Sequence, residues 1–129
     1  MPYLQPFKAF SKDMLYYQGD HPEELFFILA GKVQIKYDIT EGMVVDRKYN
    51  IPFNMYTQGS YFGDIELLIP DLAINGRDGT AEVDAESSFL FITKINLMRT
   101  LKKFPNVARE MKYVAGERKI RHEENIKII

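Results

Sequence analysis

Gly59-Ser60-Tyr61-Phe62-Gly63-Asp64-Ile65-Glu66-Leu67-Leu68 is the most informative stretch of this 129-residue chain. Gly63 can take backbone angles closed to other residues and lets a ligand approach its amide closely. Asp64-Ile65-Glu66-Leu67-Leu68 then reads as a single helical turn, whose free N–H groups and positive dipole end would face an anion. A carboxylate beside a phosphate-binding turn repels phosphate, so Asp64 is better suited to accept hydrogen bonds from a sugar hydroxyl. That combination points to a nucleotide. Downstream, Thr80 offers a hydroxyl donor, and Arg77 a bidentate phosphate donor if the loop between folds back.

Working outward, residues 14–18, 25–30 and 33–38 are short apolar runs separated by Gly19-Asp20-His21-Pro22 and Gly31-Lys32. Such runs, rich in Phe, Tyr, Ile and Val and bounded by turn residues, read as β-strands. Val33-Gln34-Ile35-Lys36-Tyr37 alternates apolar and polar, as a half-buried strand should. A polar segment Thr40-Glu41-Gly42 precedes one or two further strands within residues 43–56. Residues 80–85 and 88–93 give two more, with Glu86-Ser87 expected as the turn between them. The texture changes at Lys94. Ile95, Leu97, Met98, Leu101 and Phe104 recur at helical spacing, and Phe104-Pro105 ends that helix while placing proline in the first turn of the next. Val107, Met111, Val114, Ala115, Arg118 and His122 share one face of the last helix. Glu117 with Arg121 and Glu123 with Lys127 add favourable i,i+4 pairs, which Gly116 opposes by roughly 1 kcal/mol. Strands come first and helices last, so the fold is expected to be mainly β with appended helices.

A chain of this length forms one domain around one core. Its formal net charge of −1 gives no whole-chain field favouring nucleic acid or an anionic membrane. The absence of cysteine removes disulfides, thiolate zinc sites and thiol catalysis, and fits a reducing compartment. No apolar run is long enough to span a bilayer, and the opening MPYLQPFKAF lacks the layout of a signal peptide. The chain is expected to be a piece of a larger protein, including a membrane protein. His21 and His122 are too isolated for a metal site, and no nucleophile–base order or paired acids emerge, so neither a cofactor nor catalysis is expected. Glu23, Glu24, Glu123 and Glu124 are expected to face solvent, and Phe26, Phe27, Phe89 and Phe91 to be core or strand-pair residues. The Arg118 face, judged by helical pattern alone, is a solvated edge.

Gly-Ser-Tyr-Phe-Gly-Asp-Ile-x-Leu-Leu followed by Thr80-Ala81 resembles the phosphate-binding cassette of cyclic-nucleotide-binding domains. Tyr17-Gln18-Gly19-Asp20 with the run from Glu24 to Val33 is similar to that family's second-to-fourth strand signature. The segment from Leu101 through Phe104-Pro105 to Ala115-Gly116-Glu117-Arg118 is similar to its last two helices. The resemblance implies a β-roll, or double-stranded jelly-roll-like barrel, over residues 1–93 with the cassette at 59–81, and hinge and lid helices over 94–129. It implies a ligand, cAMP or cGMP, touched by Gly63, Asp64, Ile65, Arg77, Thr80, Ala81, Arg118 and His122. Gly63 and the neighbouring amides would hold a phosphate oxygen. Asp64 stands where the family has the glutamate that binds the ribose 2′-hydroxyl. Thr80 would reach phosphate or purine, and Arg118 would pack over the purine with His122 one turn beyond.

One departure is central. The family's phosphate-pairing arginine directly precedes the threonine or alanine that closes the cassette, and here that place is Gly79. Either Arg77 substitutes from two residues earlier or the phosphate lacks its partner, with Asp78 competing for the arginine. The resemblance implies a regulatory sensor at the cytoplasmic face of a membrane cation channel, joined to the rest of a channel chain that would be tetrameric when full length. The Ser-Tyr-Phe-Gly stretch and the 115–118 pattern are the channel-like features. Two alternatives stay open: a degenerate roll that binds no nucleotide, as in ether-à-go-go-type channels, and a fragment of a kinase regulatory subunit.

Overall fold

The runs with alternating burial pair into two four-stranded antiparallel sheets with a shared interior. A computed structural model describes residues 4–40, 48–69, 76–77 and 79–128. One sheet has the order β1 (Gln5–Ala9), β8 (Ser87–Thr93), β3 (Glu24–Ala30) and β6 (Tyr61–Phe62). The other runs β2 (Met14–Tyr16), β7 (Thr80–Val83), β4 (Lys32–Thr40) and β5 (Lys48–Thr57). Sequence-adjacent strands such as β3 and β4 fall in different sheets, so the chain winds around one core as the expected β-roll. β5 is a single strand where the sequence allowed one or two, and residues 41–47 lie outside the described residues.

The near-continuous apolar run of β3 is explained by cover on both faces. Phe26 and Ile28 enter the roll interior with Val33, Ile35, Phe62, Ala81, Val83 and Phe89. Phe26 and Phe62 stack at 5.2 Å, and Tyr56 stacks on the other side of Phe62 at 5.8 Å. Leu25 points the other way and packs with Leu67, Leu68, Ile92, Leu97, Leu101 and Ala115. This second cluster joins the roll to α1 (Ile65–Leu68), α2 (Lys94–Lys103) and α3 (Pro105–Ile128). Each fully buried side chain of this kind is worth about 1.5–3 kcal/mol, so the cassette turn and the helices are held as one packed unit.

Local signals set the boundaries. Thr93 ends β8 and caps α2 by accepting a bond from the Asn96 amide at 3.4 Å, a device worth about 1 kcal/mol. Pro105 opens α3 at the position where a missing N–H costs nothing. Gly116 does not interrupt that helix. The expected Glu86-Ser87 turn is displaced, because Ser87 is the first residue of β8. Its hydroxyl donates to the Ala85 carbonyl at 2.7 Å and accepts from the Lys32 amide at 3.2 Å, which pins it against β4. Among the described residues no helix is long and apolar enough to cross a membrane, and no His/Cys/Asp/Glu group could hold a metal ion.

Candidate ligand-binding site

The turn after β6 needs glycine for two reasons. Gly63 has φ +80°, and a Cβ there would sit 3.1 Å from the Glu24 carbonyl oxygen and 3.3 Å from Arg77 Nη1. Asp64 follows at the N-cap of α1, yet its side chain makes no capping bond to its own helix. It turns instead to α3, where its Oδ1 accepts from Arg118 Nη1 at 2.9 Å. Asp64 is only 1% exposed, and its Oδ2 has no hydrogen-bond partner among the described residues. Burial pushes its carboxyl pKa up, while the Arg118 charge, hydrogen bonds and His122 pull it partly back. Ile65, the first residue of α1, is buried.

Arg118 closes the site from above. The same Nη1 donates to the Tyr61 carbonyl at 2.8 Å, and the guanidinium lies 4.2 Å from the Tyr61 ring centroid and 5.3 Å from that of Tyr56. Burial and the Asp64 charge raise the Tyr61 hydroxyl pKa, with Arg118 opposing. One turn on, His122 is buried, with Nε2 3.0 Å from Asn54 Nδ2 and 3.1 Å from the Tyr56 hydroxyl. The carboxamide nitrogen can only donate, so Nε2 accepts. The helix face that reads as a solvated edge by pattern is thus the lid contact.

Arg77 has a different task from the one its sequence position suggested. It is 3% exposed, and its Nη1 donates to the Gly63 carbonyl at 2.8 Å and pairs with Glu66 at 3.4 Å. Its Nη2 donates to the Glu24 carbonyl at 2.6 Å, and the guanidinium sits 4.2 Å from the Tyr16 ring centroid. The cause is Glu66. An acid inside an apolar helical turn, 3% exposed, is costly unless a cation meets it, and Arg77 does so. The guanidinium therefore braces the cassette from inside rather than presenting its fork to a ligand. Asp78, expected to compete for it, lies outside the described residues.

Thr80 and Ala81 are on β7, both buried. Thr80 Oγ1 accepts from the Gln18 amide at 2.9 Å, and Ala81 packs in the roll interior beside Ile35 of β4. The structure thus gathers Gly63, Asp64 and Ile65 under Arg118 and His122, with Thr80 and Ala81 in the wall of the roll and Arg77 turned away. Sequence reasoning missed Glu66, Tyr56, Tyr61 and Asn54. An acid within Ile65-Glu66-Leu67-Leu68 was a visible signal for a buried partner; the two tyrosines carried none. Glu24, expected at the surface, is half-buried. A cavity of about 200 Å3 remains between β5, the following turn and α3. This is below the roughly 300–1,000 Å3 of a typical ligand pocket.

A family model described as the cyclic nucleotide-binding domain matches residues 8–104, more than half of the chain. The chain belongs to the cyclic nucleotide-binding domain family. The matched span stops before α3, so the residues that close this cyclic nucleotide-binding domain, Arg118 and His122, lie beyond it. Among solved structures, the catabolite activator protein of Thermus thermophilus is 18% identical with a TM-score of 0.75, the match covering 98% of this chain and 55% of that one. The c-di-GMP-responsive global regulator CLP of Xanthomonas campestris is 14% identical, TM-score 0.74, with coverage of 96% and 56%. The regulatory subunit of a cAMP-independent protein kinase A from Trypanosoma brucei is 14% identical, TM-score 0.66, with coverage of 86% and 37%. At such identities the likeness is one of fold. The chain spans little more than half the length of the two regulators. No curated protein matches it in sequence.

Proposed function

We propose that this domain is the sensor module of a larger regulatory protein, that its ligand is cAMP or cGMP, and that the ligand's ribose bonds the free oxygen of Asp64. Asp64 carries the reading. A buried carboxylate keeps one oxygen without a hydrogen-bond partner among the described residues, at the position where the family binds a sugar hydroxyl. An unmet buried acceptor costs about 1–3 kcal/mol, and a ribose hydroxyl would relieve it. Arg118 holds the other oxygen, so the ligand adds a partner to Asp64, and α3, which already lies over the cassette turn, shifts to admit it. The signal is the difference in affinity between the lid arrangements, passed along α3 to the rest of the protein. Calorimetry with cAMP and cGMP tests this. Saturable binding is expected, weakened at least about tenfold by Asp64→Ala. Absence of heat and of thermal stabilisation at millimolar nucleotide would refute it.

A membrane cation channel as the parent, with the domain at the cytoplasmic face and four copies per assembly, rests on the sequence resemblance alone. The similar solved structures named above are regulators and a kinase subunit. A kinase-subunit parent predicts a second cassette in the full-length chain. The role proposed is regulatory, without chemistry of its own.

A second reading is favoured by one observation: both arginines near the cassette are engaged by the protein, and Gly79 supplies no side chain. In it Arg118 is a built-in stand-in for ligand, and the roll is a permanently closed interaction domain. The kinase subunit named above is described as cAMP-independent, so regulation on this fold without cAMP has a precedent. The same calorimetry separates the two readings.

A further inference from the structure

The cleft under α3 is lined by Asn54, Tyr56, Ser60, Arg118, Arg121 and His122, with no carboxylate among the described residues that line it. Asn54, Tyr56 and His122 bond one another, while Arg118, Arg121 and Ser60 keep donors without a partner among the described residues. Both bonds of Arg118 leave from Nη1, so Nε and Nη2 make no hydrogen bond among the described residues. Arg121, three residues further along the helix, has no ion-pair partner among them either. The Ser60 hydroxyl makes no hydrogen bond there, while the Ser60 amide and carbonyl are held by Thr57 and Ile28. In the cassette, by contrast, Arg77 is 3% exposed and turned onto Glu66 and main-chain oxygens, and position 79 is glycine.

We propose that this cleft is a phosphoryl-binding site, in which Arg121 and the free donors of Arg118 grip phosphate oxygens and Ser60 donates a third bond. Two guanidinium groups and a hydroxyl on one cleft, with no carboxylate among its described lining residues, suit a tetrahedral oxyanion, whose oxygens accept several charge-assisted bonds at once. Arg118 can serve phosphate and Asp64 together, because the two partners use different nitrogens. The phosphoryl group is either that of the nucleotide lodged in the roll, held at the lid rather than at the cassette, or that of a separate phosphorylated metabolite. The first source rests on the nucleotide reading above; the site itself does not.

The test follows the side-chain Nε–Hε NMR signals of Arg118 and Arg121 in the full chain during titration with inorganic phosphate, against chloride at matched ionic strength. Saturable shifts of both signals with phosphate alone are expected, and Arg121→Gln or Ser60→Ala should each weaken the affinity at least about threefold to fivefold. Arg121 is exposed, so its variant should melt as the wild type does. Equal responses to phosphate and chloride, or an Arg121→Gln affinity equal to wild type, would overturn the site. Repeating the titration with cAMP distinguishes the sources: competition assigns the site to the nucleotide's own phosphate, and independent binding assigns it to a second ligand. Phosphate saturation without any nucleotide binding would end the nucleotide reading and leave the anion site standing. Nucleotide binding with phosphate inert would do the opposite.

Discussion

Replacing Arg118 by alanine tests whether the lid is closed by the ion pair at Asp64. The side chain of Asp64 is 1% exposed and that of Arg118 is 18% exposed, so the variant strands a carboxylate that solvent does not reach. Removing one partner of a buried pair costs about 3–5 kcal/mol. Residual exposure of the cation places this case at the lower end, about 3 kcal/mol. For a domain of this size that is a fall in Tm of about 10 °C. Asp64→Asn should behave differently, because the amide oxygen still accepts from Arg118 and the buried charge is gone; its cost should stay within about 1 kcal/mol. The double variant should then be more stable than Arg118→Ala alone, since no charge is stranded.

The pH dependence follows with a definite sign. Burial already holds the Asp64 pKa above its ordinary value, and loss of Arg118 removes the largest opposing influence. The folded form then keeps a proton that the unfolded chain releases, so stability falls as pH rises from the ordinary carboxylate range through the folded-state pKa. The deficit of Arg118→Ala should accordingly shrink as pH falls from neutrality toward that value. Urea unfolding followed by far-UV circular dichroism at several pH values measures all four proteins. An Arg118→Ala variant within about 0.5 kcal/mol of wild type at neutral pH, or an Asp64→Asn variant as damaged as Arg118→Ala, would refute the buried-pair account.

Arg77→Ala should destabilise by about 3–5 kcal/mol, and Glu66→Gln in the same chain should recover part of the loss, both read from denaturant midpoints. At a temperature where that variant is folded, its nucleotide affinity should stay near wild type; a tenfold loss would show that the guanidinium reaches the ligand. Gly63→Ala should cost about 1–2 kcal/mol for the left-handed backbone, and an unchanged midpoint would contradict the positive φ. Carboxyl carbon NMR of wild-type Asp64 should give a midpoint above the ordinary aspartate value of 3.8, whereas one at or below it would mean that Arg118 and the hydrogen bonds outweigh burial.

The architecture was legible because its signals are local and periodic. Apolar runs with Gly, Asp and Pro between them mark β2, β3, β4 and β7, and the change of spacing after Thr93 marks α2 and α3. β1 was unread because three of its residues, Gln5, Pro6 and Lys8, break the apolar pattern, and burial reaches only Ala9. In the site, Gly63 and Asp64 were legible because a special backbone angle and a charge next to it leave few uses. The partners of the arginines were not. Arg77 and Arg118 both lie within reach of an acid of the cassette turn, and sequence offered no way to tell which acid each would meet. Glu66, enclosed within α1, takes the one at its back, and Asp64, with no cap to make, takes the one on α3.

That division of labour sets what a ligand can change. The bond of Arg77 to the Gly63 carbonyl and its pair with Glu66 hold the turn from Gly63 to Glu66 independently of the lid. The movable contact is at the lid, where a single guanidinium nitrogen bonds both Asp64 and the Tyr61 carbonyl. A ligand whose sugar reaches Asp64 pushes the lid aside to do so, and one that offers Arg118 a phosphate gives the lid a reason to remain. The first loosens α3 and the second tightens it. Hydrogen exchange of α3 amides with each ligand therefore reports which end of the nucleotide faces the lid: faster exchange indicates the sugar at Asp64 alone, and slower exchange a phosphate gripped from above.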